Sequence, residues 1–342
     1  MGIKNNLTFV IVTYESDNVI NDCLSSIPSN YPIIIIENSG KKNFQEKIEK
    51  KYPNVKCEVM EKNKGYCFGN NLGIKLSKTN LVFILNPDVR LQRNTLEELD
   101  KVSNEIKNFA ILAPTLISDE SKEGFGLTKN YGSYKKTLTT TSDYFEVDYI
   151  QGCAFLLDKS ELKDIGFFDE NIFMYFDEID LCKRIKNSGK KIYVSKKAKI
   201  KHLGAKGVND EFFNEIEFSR NWHLMWSTFY FNKKHYGYFF ALKKTYKKLI
   251  TSMIKFLFFT LTFNSIKKKK PITIFKSGKQ TRTFCYVTDA ITAMFLVIIN
   301  GNKFVYNIGN DKPELSMKKL HQLMQKSLNK KMDMSAMMKS ML

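Results

Sequence analysis

Two places in this sequence hold acidic residues whose surroundings suit chemistry. The first is Asp88, which closes the run Phe83-Ile84-Leu85-Asn86-Pro87-Asp88. Leu81 to Leu85 is short, apolar, β-branched and aromatic, and a proline follows it, so it reads as a buried strand. A carboxylate just past a strand's carboxyl end stands on the edge where open α/β sheets bind ligands. It can hold a divalent cation that in turn holds a phosphate. Taken alone, Asn-Pro-Asp is read equally well as a strand-ending turn. The second place is Gly166-Phe167-Phe168-Asp169-Glu170, followed by Phe173-Met174-Tyr175-Phe176-Asp177-Glu178-Ile179-Asp180. Apolar rings beside acids raise a carboxylate pKa, as a general base requires. The plainer reading is a capped helix start, with Asp177 and Glu178 at its positive end and Arg184 nearer its close; capping and catalysis are compatible. His202 stands before Leu203-Gly204 at the end of a short apolar stretch. A lone histidine is more often structural, but this position suits a metal ligand.

The elements around these residues alternate. Leu7 to Val12 and Ile33 to Ile36 are strand candidates, with Val55 to Met60 a weaker one. Helical spacing follows at Val19, Ile20, Cys23, Leu24 and Ile27, from about Phe44 to Lys51, and near Asn70 to Leu76. Such alternation predicts a doubly wound, mostly parallel sheet covered on both faces. Glu15, Glu37 and Asp88 each follow a strand closely, so a parallel sheet would set them along one edge. After Asp88 a helix is expected over roughly Thr95 to Lys107, then a strand from Ala110 to Ala113. Tyr149 to Leu157 reads as a strand with Gly152 inside it, where something approaches the backbone or a bulge forms. Lys191 to Val194 and Lys199 to His202 read as two short strands. The Gly-x-Gly-x-x-Gly dinucleotide fingerprint is absent.

The chain has 342 residues, 54 Lys plus Arg against 35 Asp plus Glu, and a formal charge of +19. Fifteen of those basic residues lie between Glu217 and Asp289, where there is no acid at all. An anionic membrane surface or a nucleic acid would suit such a block. No nucleic-acid motif accompanies it, so nucleic acid is not the expected partner. Leu242, Tyr246, Leu249, Ile250, Met253 and Leu257 share a helical face with Lys243, Lys244, Lys247 and Lys248 off it. Phe256 to Ile266 is too short an uncharged run for the roughly 20 residues that span a bilayer. An amphipathic helix lying in the plane of the membrane is therefore expected, with an ordinary packing helix as the plainer alternative. The cysteines show neither a C-x-x-C pair nor zinc spacing, which points to reduced structural thiols. Met1 to Asn6 is polar and no signal peptide is read, giving the expectation of a cytoplasmic protein, peripheral on the inner face of the membrane.

The ordered set Val10-Ile11-Val12-Thr13-Tyr14-Glu15, Ile36-Glu37-Asn38-Ser39, Asn63-Lys64-Gly65-Tyr66 with Asn70-Asn71-Leu72-Gly73-Ile74, Leu85-Asn86-Pro87-Asp88, Gly152-Cys153-Ala154, and Gly166 through Cys182, closed by His202, resembles the inverting GT-A glycosyltransferases of family 2, especially their rhamnosyltransferase-like branch. The resemblance covers roughly residues 7–235 and implies a GT-A type fold. It implies donor-binding roles for Thr13, Tyr14, Glu15, Glu37, Asn38, Gly65, Asn70, Asn86 and Asp88, and an acceptor side at Gly152 and Asp169. It places a divalent cation (Mn²⁺ or Mg²⁺) at Asp88 and His202, and the base at Glu178 with Asp177 as alternate. Glu37 stands where the family usually has Asp, and Asn86 occupies the first acidic position of the family's Asp-x-Asp motif. The implied partners are a nucleotide-sugar donor and a glycan or lipid-linked acceptor of polysaccharide biosynthesis; dTDP-rhamnose is the family-level expectation.

Four regions are expected: the transferase domain at 1–235, the basic amphipathic segment at 236–270, a fragment at 271–328 and a tail at 329–342. Pro271-Ile272-Thr273-Ile274, Thr281-Arg282-Thr283-Phe284 and Tyr306-Asn307-Ile308-Gly309-Asn310 resemble the C-terminal part of extended short-chain dehydrogenases, the nucleotide-sugar epimerase and decarboxylase group. Neither the glycine-rich loop nor the Tyr-x-x-x-Lys of that family has a counterpart in this fragment, so no NAD site is expected. A nucleotidyltransferase is a competing enzyme reading, although Thr13-Tyr14-Glu15-Ser16 is not its glycine-rich basic loop. A catalytically inactive nucleotide-sugar-binding or membrane scaffold protein is the alternative from another class.

Overall fold

A computed structural model describes residues 3–106, 108–117, 142–202 and 213–247, with short pieces at 123–124, 250–251, 272–275, 281–283, 314–316, 319 and 334–337. The chain divides into two compact units, Met1–Lys247 and Lys248–Leu342. The boundary falls inside the basic segment.

The first unit is built on strands β1 (Leu7–Thr13), β2 (Ile33–Glu37), β3 (Val55–Val59), β4 (Leu81–Leu85), β5 (Val89–Leu91), β6 (Ile111–Ile117), β7 (Glu123–Gly124), β8 (Tyr144–Glu146), β9 (Ala154–Asp158) and β10 (Ile192–His202). They form one sheet ordered β3-β2-β1-β4-β9-β6-β10-β5, with β7 beside β6 and β8 beside β10. β3, β2, β1 and β4 are mutually parallel, β9 runs against β4 and β6, and β6 and β10 are parallel again. The sheet is therefore mixed but mostly parallel in strand direction. The carboxyl ends of β1, β2 and β4 share one edge, where Thr13 pairs with Glu37.

Alternation along the central strands sorts the core into two layers. Phe9, Ile11, Ile33, Ile35, Phe83 and Leu85 pack with α1 (Ile20–Ser25), α2 (Lys42–Lys51) and α4 (Thr95–Glu105). Val10, Val12, Ile34, Ile36, Val82 and Ile84 pack on the other face with α3 (Tyr66–Leu76) and α5 (Asp177–Asn187). Burial on both faces is why these strands read as continuous apolar runs. The cysteines at 23, 57, 67, 153 and 182 are all free and buried. Cys285 lies outside the described residues.

Three local expectations change. The two short strands expected around His202 are one strand, β10, whose register against β6 shifts between Ser195 and Lys199. Gly152 lies in the turn before β9 rather than within a strand. Helix α3 begins at Tyr66, directly after Gly65. A long helix, α6 (Phe213–Tyr236), follows β10, and after Gly237 a further helix, α7, covers 238–247.

The second unit's described pieces are β11 (Ile272–Phe275) parallel to β14 (Met334–Met337), and β12 (Thr281–Thr283) antiparallel to β13 (Glu314–Ser316). Phe9 and Phe83 stack at 5.2 Å in the centre of the first unit, both fully buried. Phe83→Ala should cost about 3–5 kcal/mol, read as a fall in the urea midpoint of that unit; a loss under about 1 kcal/mol would mean the site collapses freely.

Candidate active site

The Asn86-Pro87-Asp88-Val89 turn is closed by Val89 N–H donating to the Asn86 carbonyl at 3.1 Å, with proline at the position that suits its fixed φ. Immediately after it, β5 pairs with the end of β10, with Val89 opposite His202. That register places the buried Asp88 carboxylate (Oδ1) 3.2 Å from His202 Nε2. The turn is also tied inward. Asn86 N–H donates to the Cys153 carbonyl at 2.8 Å. The Tyr66 hydroxyl lies 2.9 Å from Asn86 Oδ1 and 3.0 Å from the Gly152 carbonyl. Tyr66 thus couples the Asp88 turn to the turn that carries Gly152.

Gly152 lies against the acidic pair. A Cβ built on it would stand 3.3 Å from Glu178 Cβ and 3.5 Å from Asp177 Oδ2, so the missing side chain leaves room for both carboxylates. Asp177 and Glu178 open α5, where the helix's free N–H groups favour negative charge. Burial nevertheless pushes Asp177 up to about 6, against the lowering effect of the backbone N–H groups at the helix start. Removal from bulk water and then the neighbouring Asp177 charge drive Glu178 well above the ordinary carboxylate range. Two adjacent carboxylates withdrawn from water cannot both ionise easily, so both hold a proton more tightly than free carboxyls do. Tyr175 and Phe176, just before it, both have φ of 65°, a left-handed conformation that costs side-chain-bearing residues energy.

α6 holds that strained segment in place. Ser227 Oγ donates to the Met174 carbonyl at 2.7 Å, and Phe176 packs on Phe231 with ring centres 5.2 Å apart. One turn into α5, the fully buried Asp180 carboxylate meets Arg184 Nε at 2.8 Å, with Lys234 Nζ and His235 Nε2 at 2.7 Å each. Burial raises the Asp180 pKa, but Lys234 and Arg184 outweigh it and hold the group below its ordinary value. Arg184 also donates to the carbonyls of Ile165, Gly166 and Phe167. Asp169 is engaged as well: Oδ2 accepts from Tyr230 Oη at 3.0 Å and Lys234 Nζ at 2.7 Å, and Oδ1 from the Asn171 N–H.

At the β1–β2 edge the residues expected to meet a donor brace one another. Buried Glu37 accepts from Thr13 Oγ1 at 2.5 Å and from the Ser39 N–H at 2.6 Å, so both of its oxygens are engaged. Glu15 has φ of 51°, receives Lys41, and donates its N–H to Ser39 Oγ at 2.7 Å. Tyr14 is exposed beside it. Asn38 and Asn70 donate their amides to the Gly65 and Tyr66 carbonyls. Their buried Oδ1 atoms have no hydrogen-bond partner among the described residues. Gly65, with φ of 90°, admits no side chain, because a Cβ would lie 2.7 Å from the Phe173 ring and carbonyl.

This arrangement over residues 8–166 matches the family model described as "Glycosyl transferase family 2". Residues 8–166 are thus similar to family 2 glycosyltransferase domains. Residues 233–309 match a second model, "NAD dependent epimerase/dehydratase family", in the same C-terminal direction as the dehydrogenase-like motifs. The chain is 26% identical over 192 residues to the low-salt glycan biosynthesis hexosyltransferase Agl10 of Haloferax volcanii, covering 53% of this chain and 61% of that protein. It is 33% identical over 64 residues to UDP-D-apiose/UDP-D-xylose synthase 1 of Arabidopsis thaliana, covering 18% of this chain and 16% of that one. Among solved structures, GalNAc-T7 with UDP, GalNAc and Mn²⁺ has a TM-score of 0.48 at 14% identity, over 68% of this chain and 52% of that one. The chain thus spans less than two thirds of the relatives it matches.

In the first unit the structure brings Asp88 to His202, and Glu178 and Asp177 to Gly152. It places Thr13, Glu15, Glu37 and Asn38 together on the neighbouring edge. Tyr66, Lys234 and His235 carry connections that were not singled out from sequence. Tyr66 sat inside a quoted motif, and its place before a helix was the available signal. Lys234 and His235 lie in a basic, aromatic stretch with no periodic cue. Asp180→Asn should destabilise the domain by about 1–3 kcal/mol, because Lys234 and Arg184 lose a charged, buried partner. Glu178→Gln should do the opposite. A carboxyl whose folded pKa is raised weakens the fold as pH rises from 3.8 towards about 6 for Asp177, and onward for Glu178. Relief of the pair at pH 7 is therefore expected to raise Tm, by roughly 1 kcal/mol or a few degrees. A lowered Tm at pH 7, with no gain over pH 4, would contradict a strained pair.

Proposed function

We propose that this protein is an inverting, metal-assisted hexosyltransferase. It moves a sugar from a nucleoside-diphosphate donor to a hydroxyl of a glycan or lipid-linked acceptor. The observation that carries the reading is the acid pair. The Asp177–Glu178 pair, both carboxyls raised above their ordinary range by burial, sits against Gly152, and Gly152 is joined through Tyr66 and Asn86 to the turn bearing Asp88. A proton acceptor and a phosphate-side carboxylate therefore belong to one hydrogen-bonded framework.

The chain's own residues account for most of the steps. Thr13, Tyr14, Glu15, Glu37 and Asn38 line the edge that receives the nucleoside, with Gly65 and Asn70 behind it. Glu37 acts there mainly as a brace for Thr13 and Ser39. In its ionised form Glu178, the more exposed member of the acid pair, takes the acceptor's hydroxyl proton. The acceptor oxygen bonds to the anomeric carbon on the face opposite the diphosphate. The bond from that carbon to the phosphate oxygen breaks, and the electron pair leaves with the nucleoside diphosphate. Base assistance of this kind is worth about 10²–10⁴-fold in rate. Asp169 supports the acceptor side through its bonds to Tyr230 and Lys234.

Asp88 and His202 offer a hard oxygen and an imidazole nitrogen 3.2 Å apart, a donor set suited to a divalent cation completed by phosphate oxygens and water. Among the described residues no three His, Cys, Asp or Glu side chains gather, and phosphate oxygens of the nucleotide would supply further ligands. A cation held there would offset negative charge on the departing diphosphate. A cytoplasmic location on the inner membrane face, with rhamnose from a dTDP donor, remains the working assignment for place and substrate.

Glu178→Gln should lower transfer by about 10²–10⁴-fold while leaving donor binding intact; unchanged turnover would remove Glu178 from the mechanism. Asp88→Asn should abolish the Mn²⁺-dependent part of nucleoside diphosphate binding, measured by calorimetry with UDP, dTDP and GDP in turn. Metal-dependent affinity that survives the substitution would place the cation elsewhere. Binding without any turnover in the native protein would favour an inactive nucleotide-sugar-binding protein.

A further inference from the structure

The sequence predicts an amphipathic helix whose Leu242, Tyr246 and Ile250 face lies in the plane of a membrane, and the structure leaves part of that face uncovered. Ala241 and Thr245 are buried, while Tyr246 and Ile250 stand exposed. Leu249, Met253 and Leu257 lie outside the described residues. The corner at the α6–α7 junction is exposed as well. Gly237, with φ of 89°, turns the chain there. Tyr236, Phe239 and Phe240 around it are 47%, 84% and 38% exposed. The Tyr236 and Phe240 rings lie 4.9 Å apart, with Lys183 Nζ 4.7 Å from the first ring centre and Lys244 Nζ 5.4 Å from the second. Lys243 and Lys244 are both exposed on the next turn.

We propose that this corner, with Phe239 at its tip and Lys243 and Lys244 beside it, docks the protein on an anionic lipid bilayer. The proposal stands apart from the transfer chemistry and survives its failure. Single exposed apolar residues are ordinary, but a contiguous aromatic set bordered by cations is the pattern of an interfacial anchor. Rings with an apolar body sit at headgroup depth, and lysines meet anionic lipid at the same level. Charge selects among occupants. The corner lies in the stretch between Glu217 and Asp289, which has fifteen Lys or Arg and no acid. A second copy using the same face would set lysines against lysines, because a two-fold contact repeats one patch on both sides. No helix among the described residues is long and apolar enough to cross a membrane.

The test is vesicle flotation of the full chain, with nucleoside diphosphate binding measured on the same preparations. Vesicles of phosphatidylglycerol and phosphatidylcholine in equal parts should carry the protein, and phosphatidylcholine alone should not. High salt should release it. Phe239→Ser should weaken flotation about tenfold or more, since a buried aromatic ring is lost from the interface. Lys243→Glu with Lys244→Glu should do the same, because each lysine contributes roughly fivefold on an anionic surface. Both variants alter exposed side chains, so Tm and nucleotide binding should remain native. Equal flotation on both vesicle types would overturn the proposal. So would native flotation of both variants, which would place membrane contact elsewhere in the chain. Self-association or nucleic-acid binding that these substitutions abolish, without flotation, would assign the corner to that partner instead.

Discussion

Two neighbouring carboxylates that water cannot fully reach impose the main constraint on this fold. Side by side at the start of α5, Asp177 and Glu178 repel one another, and burial sharpens the repulsion. Both groups therefore hold their protons more tightly than free carboxyls, and neighbouring elements keep the pair in place. Tyr175 and Phe176 are wound left-handed ahead of it. Ser227 and Phe231 of α6 fasten that winding, and Asp180, clamped by Arg184, Lys234 and His235, fixes the first turn of the helix behind. Opposite electrostatic outcomes arise three residues apart. Asp177 is driven up by lost water and Glu178 by lost water and the neighbouring Asp177 charge, whereas Asp180 is held down by Lys234 and Arg184. One helix end thus carries a proton acceptor and its anchor.

The connection between this pair and the phosphate-side carboxylate is short and polar. Tyr66 reaches both the Asn86 side chain and the Gly152 backbone, and β5 and β10 meet so that Asp88 faces His202. Neither arrangement is local in sequence. Each depends on the sheet order, which sets β9 between β4 and β6 and returns β10 to the turn after β4.

Elements with one strong periodic signal were legible from sequence. The apolar runs of β1, β2 and β4 are buried on both faces, and the Asn-Pro-Asp turn ends β4 as its proline requires. The acids at the strand ends, the pair at the start of α5 and His202 at a strand end could be named from type and position. What escaped was set by tertiary contacts. Gly152 looked like a strand residue because the apolar run continues on both sides of it, and its place in a turn follows from the approach of Glu178. β10 looked like two strands because Lys196 and Lys197 interrupt its apolar pattern where the register shifts. In α7 the residues that face inward are small, Ala241 and Thr245, which gives no apolar signal for the packed face. The role of α6 was hidden because aromatics lie all around it.

The central claim is that the acid pair shares a proton in the folded protein, and carboxyl carbon NMR over a pH titration tests it most directly. With Asp177 and Glu178 assigned through Asp177→Asn and Glu178→Gln, one carboxyl of the native pair is expected to remain protonated above pH of about 6. The survivor in each single variant should titrate lower than it does in the pair. If both carboxyls titrate independently near the ordinary value of about 4, there is no shared proton, and the account of this helix end as the base is wrong.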